Sequence, residues 1–375
     1  MTPVGWDLTT WGEVVELRYG KALRDYRDGR GSVAVYGTNG PVGFTDVHQT
    51  KGPGVVVGRK GAYRGVHYAA QDFWVIDTAF YIAPKRPLDM RWAYYSLQLA
   101  DINGLDSGSA IPSTTRESFA GLRAHVPPLP EQQAIAEVLG ALDDKITANT
   151  ALAATAAAVA RLELRAAVRD DARELTVDEA SVVLVRGITP RYLPDGEGTR
   201  VLNQKCVRDQ VVSLGPSRWT DDSKVRAEKV LAVGDILVNS TGQGTLGRVA
   251  RWTLPGQATV DSHITIVRPD PNVSDPTVIG QAVLAIEADI EALGEGSTGQ
   301  TELSRVELGR ARIRVPSGER ANRVGQTLRA LAASQDAVRA ENATLAATRD
   351  ALLPKLMSGK LRVRDAQKVA QEAGL

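Results

Sequence analysis

A long helix begins in the stretch Val126-Pro127-Pro128-Leu129-Pro130-Glu131-Gln132-Gln133-Ala134-Ile135-Ala136, and this helix decides the fold. Proline is favoured in the first turn of a helix, and an acidic residue there, such as Glu131, interacts favourably with the helix dipole. A seam with alternating steps of four and three residues follows: Ile135, Leu139, Leu142, Ile146, Asn149, Ala153, Ala156 and Ala160. This spacing is typical of a coiled coil with one polar seam position. We therefore predict a helix from about 131 to 168 that packs on a second helix.

A second seam follows Pro316 near the end of the sequence. Its members are Val324, Leu328, Leu331, Gln335, Val338, Asn342, Leu345, Arg349 and Leu352. A shift of 189 residues places the first seam on the second, so that Ile135 corresponds to Val324. Two unrelated amphipathic helices, each packed on its own domain, would also give such patterns. The shared spacing and offset favour a mutual coiled coil.

An antiparallel arrangement of the two helices makes a further prediction about their polar seam residues. The repeat offset places Asn149 and Asn342 close to each other near the centre of the pair. A polar contact there would fix the register at some cost in stability. The alternative is that both side chains point outward to solvent.

The chain repeats itself at about half its length. The segment Ser107-Gly108-Ser109-Ala110-Ile111-Pro112 has a counterpart in Gly296-Ser297-Thr298-Gly299-Gln300-Thr301, again at an offset of 189. Each copy follows a region rich in Gly, Val and aromatic residues and precedes one of the two helices. We predict an α+β protein with four parts: a globular domain at 1–126, a spacer helix at 127–170, a second globular domain at 171–316, and a helix with a tail at 317–375.

Short strands and turn-rich loops alternate in both globular parts. The predicted strands are Gly54–Gly58, Phe73–Ile76, Asp235–Val238 and His263–Val267. The predicted loops are 36–41, 58–61 and 239–244. Asn39-Gly40 is a strong turn signal, because both residues tolerate positive φ.

Length and composition narrow the class of protein. A chain of 375 residues exceeds what one hydrophobic core usually holds, so two or more domains are expected. The hydrophobic fraction of 43% and the charged fraction of 24% are ordinary for a globular protein. The single cysteine, Cys206, argues against an internal disulfide and against a thiolate zinc site. Neither a signal peptide nor a membrane span is evident, so we expect a cytoplasmic protein.

The formal net charge of +1 is low for a nucleic-acid-binding protein. Contacts to DNA would therefore come from small local clusters or be shared with a basic partner. Two clusters contain no acidic residue: one is Lys51, Arg59, Lys60 and Arg64, and the other is Lys355, Lys360, Arg362 and Arg364. The alternative is that both clusters are solvated surface.

Catalytic and cofactor motifs are missing from the sequence. It contains neither a Walker phosphate loop nor a glycine fingerprint that opens a helix after a strand. The four histidines, His48, His67, His125 and His263, show no metal-ligand spacing, so we expect no bound metal. The methyltransferase signature Asn/Asp-Pro-Pro-aromatic is also absent, since Val126 precedes Pro127-Pro128. We therefore expect a non-catalytic binding protein with two sites.

Several short motifs occur in an order that is specific to one family. They are the helix start 126–136 with Leu142-Asp143-Asp144-Lys145-Ile146 after it, Tyr36–Gly40, Gly52–Gly61, Asp72–Thr78, Gly234–Gly242, Asp261–His263 and the ending Leu352–Leu361. With these motifs the sequence resembles the specificity (S) subunit of type I restriction-modification systems, over essentially the whole chain. One departure is Pro316-Ser317-Gly318-Glu319-Arg320, which lacks the Pro-Leu-x-Glu-Gln helix start.

The resemblance implies an architecture and a function. Two target-recognition domains would be held apart by two long antiparallel helices, related by a pseudo-two-fold axis, and each would read one half of a bipartite, asymmetric DNA site. Such a subunit recruits two modification (methyltransferase) subunits and restriction subunits in anti-phage defence. S-adenosylmethionine, ATP and Mg would then be bound by the partner subunits, and this chain would bind no cofactor.

The resemblance also suggests which residues form the sites. The candidate DNA-binding residues lie beside glycines in the predicted loops: Thr38, Asn39, Arg59, Lys60, Arg64, Asn239, Ser240, Thr241, Gln243, Thr245 and Arg248. The candidate partner-binding residues lie at and after the helix start: Glu131, Gln132, Asp143 and Lys145. For each loop residue, stabilisation of the loop without DNA contact is the alternative.

Two other functions are compatible with this sequence. A related phage-defence complex could use the same architecture with other enzymes. A two-headed scaffold could instead bind proteins or glycans and no DNA. A neighbouring gene for an adenine methyltransferase would favour the specificity subunit over both of these alternatives.

Overall fold

The computed structural model describes residues 5–105, 112–169, 172–254, 256–294 and 302–375. These residues form two compact units. Unit 1 contains Met1–Asn149 and Ala340–Leu375, and unit 2 contains Thr150–Arg339. The glycine-rich segments 107–111 and 296–301, on which the sequence repeat partly rests, lie outside the described residues.

Unit 1 begins with a small globular part of mixed strands and helices. Its elements are β1 (Asp7–Thr10), α1 (Trp11–Val14), β2 (Val15–Tyr19), β3 (Val33–Gly37), β4 (Gly40–Thr45), β5 (Gly54–Gly58), β6 (Val66–Ala69), β7 (Phe73–Val75), β8 (Ala79–Pro84), α2 (Met90–Gln98), α3 (Arg116–Ala120) and β9 (Arg123–Val126). The long helix α4 (Leu129–Ala167) follows and continues into unit 2.

The globular part of unit 2 has a similar set of elements. They are β10 (Ala172–Thr176), β11 (Ser181–Arg186), β12 (Tyr192–Leu193), β13 (Thr199–Leu202), β14 (Val207–Arg208), β15 (Val211–Val212), β16 (Arg218–Thr220), β17 (Ile236–Asn239), β18 (Val249–Arg251), β19 (Ala258–Val260), β20 (Ile264–Pro269), α5 (Pro276–Ala285), α6 (Glu287–Ala292), α7 (Arg305–Arg310) and β21 (Arg312–Pro316). The second long helix, α8 (Gly318–Met357), returns to unit 1, where α9 (Val363–Glu372) ends the chain.

The two globular parts share one topology. The antiparallel sheet β2-β8-β5-β6 of unit 1 has the same strand order as β11-β20-β17-β18 of unit 2. The pair β1-β9 corresponds to β10-β21, and the parallel pair β3-β7 corresponds to β13-β19. The sequence repeat therefore coincides with a structural repeat of these strands, whereas unit 2 has the additional pair β14-β15. The α+β class and the four predicted strands are confirmed.

The strand Gly54–Gly58 illustrates why these segments form the core. All five residues are buried, because Val55 and Val57 pack into the main core of the unit while Val56 packs with Phe73 on the other side of the sheet. Such a strand appears in sequence as a continuous apolar run bounded by glycines.

The two long helices run antiparallel within unit 1. Asp143 of α4 contacts Arg349 of α8, and Asn149, further along α4, contacts Glu341, which lies earlier on α8. Residue numbers therefore rise on α4 as they fall on α8. The seam residues Leu139 and Leu142 are buried together with Leu345. The predicted coiled coil and its two helices are confirmed, with α4 starting two residues before the predicted position.

Helix α8 begins at the segment that departs from the family pattern. Gly318 adopts φ +58°, a conformation that glycine reaches without a steric penalty. In unit 2 the first part of α8 packs on the last part of α4, where Leu164 is buried with Val324 and Leu328. Among the described residues, the structure contains no helix with the length and apolar character needed to cross a membrane.

Candidate nucleic-acid interface

The first candidate site lies at the turn between β3 and β4 and the loop between β5 and β6. The Thr38 hydroxyl donates hydrogen bonds to the carbonyl oxygens of Thr78 at 2.5 Å and Lys60 at 3.0 Å. The Thr38 carbonyl oxygen accepts from the Gly65 amide and from His67 Nε2. Thr38 therefore holds the turn against the loop, and it leaves Asn39 exposed at the tip.

Arg64 belongs to the interior of this loop. Its side chain is 2% exposed, and its guanidinium donates to the carbonyl oxygens of Gly61, Ile102 and Asn103 at 2.6–3.3 Å. A guanidinium that is bound by three backbone carbonyls has little capacity left for a ligand. Arg64 thus supports the loop.

The half-buried Arg59 and the exposed Arg116 form a cationic cluster around one aromatic ring. The guanidinium carbons of both residues lie 4.9 Å from the centre of the Tyr19 ring, which is 45% exposed. Arg59 also donates to the Asp77 carbonyl oxygen at 3.1 Å. Neither arginine pairs with a carboxylate among the described residues. Two positive charges are therefore available next to the exposed Lys60.

The second candidate site is the loop between β17 and β18. Asn239 and Ser240, which open it, are both 0% exposed. The Asn239 side-chain amide donates to the carbonyl oxygens of Gln204 and Thr245, and the Ser240 hydroxyl lies 2.6 Å from the Thr265 hydroxyl. Like Arg64, these two residues hold their loop in place.

The remaining candidates of this loop lie nearer its surface. The Thr241 hydroxyl lies 2.6 Å from His263 Nδ1, and the Thr245 hydroxyl donates to the Gly242 carbonyl oxygen at 3.2 Å. Arg248 donates to the Gly244 carbonyl oxygen at 2.7 Å. Gln243 is exposed at the tip, and its amide makes no hydrogen bond to any residue that the structure describes. Gln243 is therefore the side chain of this loop with the most free hydrogen-bonding capacity.

The two loops occupy equivalent positions in the repeat. In unit 1 Lys60 forms a β-bridge with Ser113, just before α3, and in unit 2 Thr241 forms a β-bridge with Glu302, just before α7. Thr115 caps α3 and Ser304 caps α7 through the side-chain hydroxyl. Each globular part thus presents one hairpin loop that is tied to the start of one short helix.

Comparison with known proteins shows which family the first globular part resembles. Residues 3–156 match the family model of the type I restriction modification DNA specificity domain. This part of the chain is similar to that family.

Solved structures resemble the chain over almost its full length. A type I restriction-modification system S subunit from M. genitalium matches with a TM-score of 0.65 and 19% identity, over 95% of this chain and 99% of its own. An HsdS subunit from Thermoanaerobacter tengcongensis aligns over 96% of this chain and 98% of its own, with 17% identity and a TM-score of 0.35. No curated protein sequence gives a significant match. The similarity to the first structure establishes the fold of both halves.

The globular part of unit 1 and its repeat in unit 2 differ at the end of one strand. Arg186 lies at the end of β11, where unit 1 has Tyr19 at the end of β2. It pairs with Glu302 at 2.8 Å and donates to the Leu303 carbonyl oxygen. Arg186 is therefore neutralised, whereas Arg59 and Arg116 of unit 1 have no carboxylate partner among the described residues. Sequence inspection missed Tyr19 and Arg116, because nearly a hundred residues separate them along the chain.

Burial changes the proton affinity of two groups that support the loops. The pKa of His67, which contacts Thr38, is lowered by burial, and its contact with the Thr38 carbonyl opposes this only in part. The pKa of Asp261 is raised by burial, although the His263 amide donates to its carboxylate at 2.9 Å. Burial thus disfavours the charged form of both groups.

The candidate partner-binding residues make contacts within unit 1. Glu131 accepts a hydrogen bond from Trp6 Nε1 at 3.0 Å, and the buried Gln132 amide joins the Asp89 amide to the Pro127 carbonyl oxygen. Asp143 accepts from Tyr95 and from Arg349, and Lys145 lies 3.4 Å from Glu341. These four side chains fasten α4 to the globular part of unit 1 and to α8. In the described ranges, no group of three or more His, Cys, Asp or Glu residues could hold a metal ion.

Proposed function

We propose that this chain is the DNA-specificity subunit of a type I restriction-modification complex. The observation that carries the proposal is the duplication of the globular part. The two globular parts, or heads, share the strand order of their main sheet, and each has an equivalent hairpin loop. A protein that reads two separate DNA segments needs two such heads joined by a defined spacer. The long helices α4 and α8 provide that connection.

The exposed side chains at the loop tips suit base reading. Asn39 and Gln243 carry amides that can both donate to and accept from a base edge in the major groove. Lys60 can donate to guanine or to a phosphate. The buried members, Arg64, Asn239 and Ser240, serve to position these readers. In unit 1, Arg59 and Arg116 are suited to backbone phosphates, which fix the register on the duplex.

The two heads would read different half-sites. Arg59-Lys60-Gly61 in the first loop stands where the second has Ser240-Thr241-Gly242, so the donors and acceptors offered to DNA differ. An asymmetric bipartite site follows from this difference.

Catalysis would come from partner subunits. Two modification subunits would bind S-adenosylmethionine and methylate adenine, and restriction subunits would cleave DNA with ATP and Mg. A specificity subunit of net charge +1 can work in such a complex, because basic partners can supply much of the phosphate neutralisation.

Methylome sequencing tests the proposal. A host that expresses the cognate modification subunits should carry methyladenine in one bipartite motif only when this chain is also present. The chain alone should transfer no methyl group. Absence of a motif, together with unchanged mobility of DNA fragments in a gel shift of the assembled complex, would favour the non-DNA scaffold. A bipartite motif that is modified by other enzymes would favour a related defence complex.

A further inference from the structure

Unit 2 contains a cavity beside its parts of the two long helices. The cavity measures about 280 Å³ and lies between the second part of α4, the first part of α8, α5 and the β14-β15 turn. Three arginines, Arg161, Arg251 and Arg339, contribute to its walls, as do the amides of Gln281 and Gln335.

The structural repeat explains why space is left here. In unit 1, Tyr95, Asp143 and Arg349 meet at the corresponding place, where Asp143 accepts from both of the other side chains. The offset of 189 residues places Asp143 on Ala332 and Arg349 on Ala160. Counted from the helix caps Asp89 and Asp275, Tyr95 corresponds to Gln281. All three counterparts line the cavity, so three large side chains of unit 1 are replaced by two alanines and a glutamine.

The cavity has more positive than negative charge. Asp336 is the carboxylate that contacts both Arg251, at 3.0 Å, and Arg339, at 3.8 Å. Arg161 is exposed at the rim and has no ion-pair partner in the described part of the chain. Asp209 also reaches the rim, but its side chain is 90% exposed and pairs with Arg208. In unit 1, by contrast, Arg349 faces two carboxylates, Asp143 and Asp350.

Burial increases the need for a counter-charge. The pKa of Arg339 is lowered by burial and by the neighbouring Arg251, although Asp336 opposes this. Like charges in a half-buried cavity are stabilised when an anion binds between them, and guanidinium groups bind oxyanions through paired hydrogen bonds.

We propose that this cavity binds a small oxyanion of the phosphate class, in the place that the Asp143 carboxylate occupies in unit 1. The Arg251 and Arg339 guanidiniums bind the anion, and the Gln281 and Gln335 amides donate further hydrogen bonds. Arg161 closes the rim. The site stabilises the junction of α4, α5 and α8 in unit 2 and is independent of DNA reading.

Thermal unfolding of the full chain in inorganic phosphate tests the proposal. At constant ionic strength, replacement of chloride by phosphate raises the Tm in a saturable way, because a ligand of the folded state stabilises it according to its concentration relative to Kd. Arg339→Gln raises at least tenfold the phosphate concentration that gives half of the maximal Tm shift, because it removes a charge-assisted contact. Arg323→Gln, an equal loss of charge on an exposed position of α8 outside the cavity, leaves the effect unchanged.

A second variant separates binding from folding. Ala332→Asp restores the carboxylate of unit 1, so the phosphate dependence disappears while the Tm in chloride rises or stays at the native value. A native chain without a saturable phosphate effect would overturn the proposal. So would an equal response of Arg323→Gln and Arg339→Gln, or a full phosphate effect in a folded Ala332→Asp variant.

Discussion

The Asn149 side-chain amide on α4 donates a hydrogen bond to Glu341 Oε2 on α8 over 2.7 Å. On the next residue of α8, the Asn342 amide donates to the Ile146 carbonyl oxygen at 3.2 Å. Both asparagines therefore face the opposite helix, and Asn149 is only 6% exposed. Polar seam residues that are satisfied in one register and unsatisfied in a shifted one specify that register.

Removal of the Asn149 amide should destabilise unit 1. Asn149→Ala leaves Glu341 with Lys145 as its partner but removes one buried hydrogen bond, so the free energy of unfolding should fall by about 1 kcal/mol. Urea unfolding followed by circular dichroism measures this change. Thr155→Ala, on an exposed position of the same helix, is the control and should change stability little. Equal effects of the two substitutions would argue against a structural role for Asn149.

The Asp143–Arg349 contact should be strongly coupled. Both side chains are largely buried, with 22% and 29% exposure, and Asp143 also accepts from Tyr95. A double-mutant cycle to alanine should give a coupling free energy of about 1–3 kcal/mol. The exposed pair Arg362–Asp365 should give less than about 0.5 kcal/mol in the same experiment. A coupling for Asp143–Arg349 no larger than that of this control would contradict the packing described here.

His67 should make unit 1 sensitive to acid. Its folded-state pKa is depressed by burial, so the unfolded chain binds the proton more readily. The stability from this group is full above the unfolded pKa of about 6.5 and declines as the pH falls from there through the folded value. Thermal melts between pH 7.5 and 5 should therefore show a smaller loss of Tm in His67→Gln than in the native chain. His48→Gln, at an exposed position, should retain the native pH dependence.

Arg116 should contribute to DNA affinity without affecting sequence preference. If it contacts a phosphate, Arg116→Ala should weaken binding of the assembled complex to all DNA sequences and reduce the slope of log K against log salt by about one. Fluorescence anisotropy over a range of salt concentrations gives both quantities. Arg123→Ala, at another exposed arginine of unit 1, should leave the slope intact. A changed methylation motif in Arg116→Ala would show that this residue reads bases instead.

The sequence predicted the helices well because their signals are local. The steps from Ile135 to Leu142 and from Val324 to Leu331 reflect one buried face per helix, and proline marks the start of α4. The repeat was visible for the same reason, since the offset of 189 residues is constant through α3, β9 and α4 and their counterparts. Periodic apolar residues and a proline at a helix start can be recognised without knowing which distant residues meet in the fold.

The site could be predicted only in part, because exposure depends on distant residues. Arg64 is buried by the carbonyl oxygens of Ile102 and Asn103, and Asn239 by that of Gln204. The loop sequences alone do not distinguish these supporting residues from Asn39 or Gln243. The cluster of Arg116 on Tyr19 was missed because β2 and α3 meet only in the folded domain.

The central claim is that two independent heads each read one half of a DNA site, and an exchange of one head tests it most directly. Residues 171–316 would be replaced by the second domain of another specificity subunit, and the methylome of a host with the modification subunits would be sequenced. If the two heads read DNA independently, one half of the motif changes while the other half stays as it was. A change in both halves, or in neither, would contradict it.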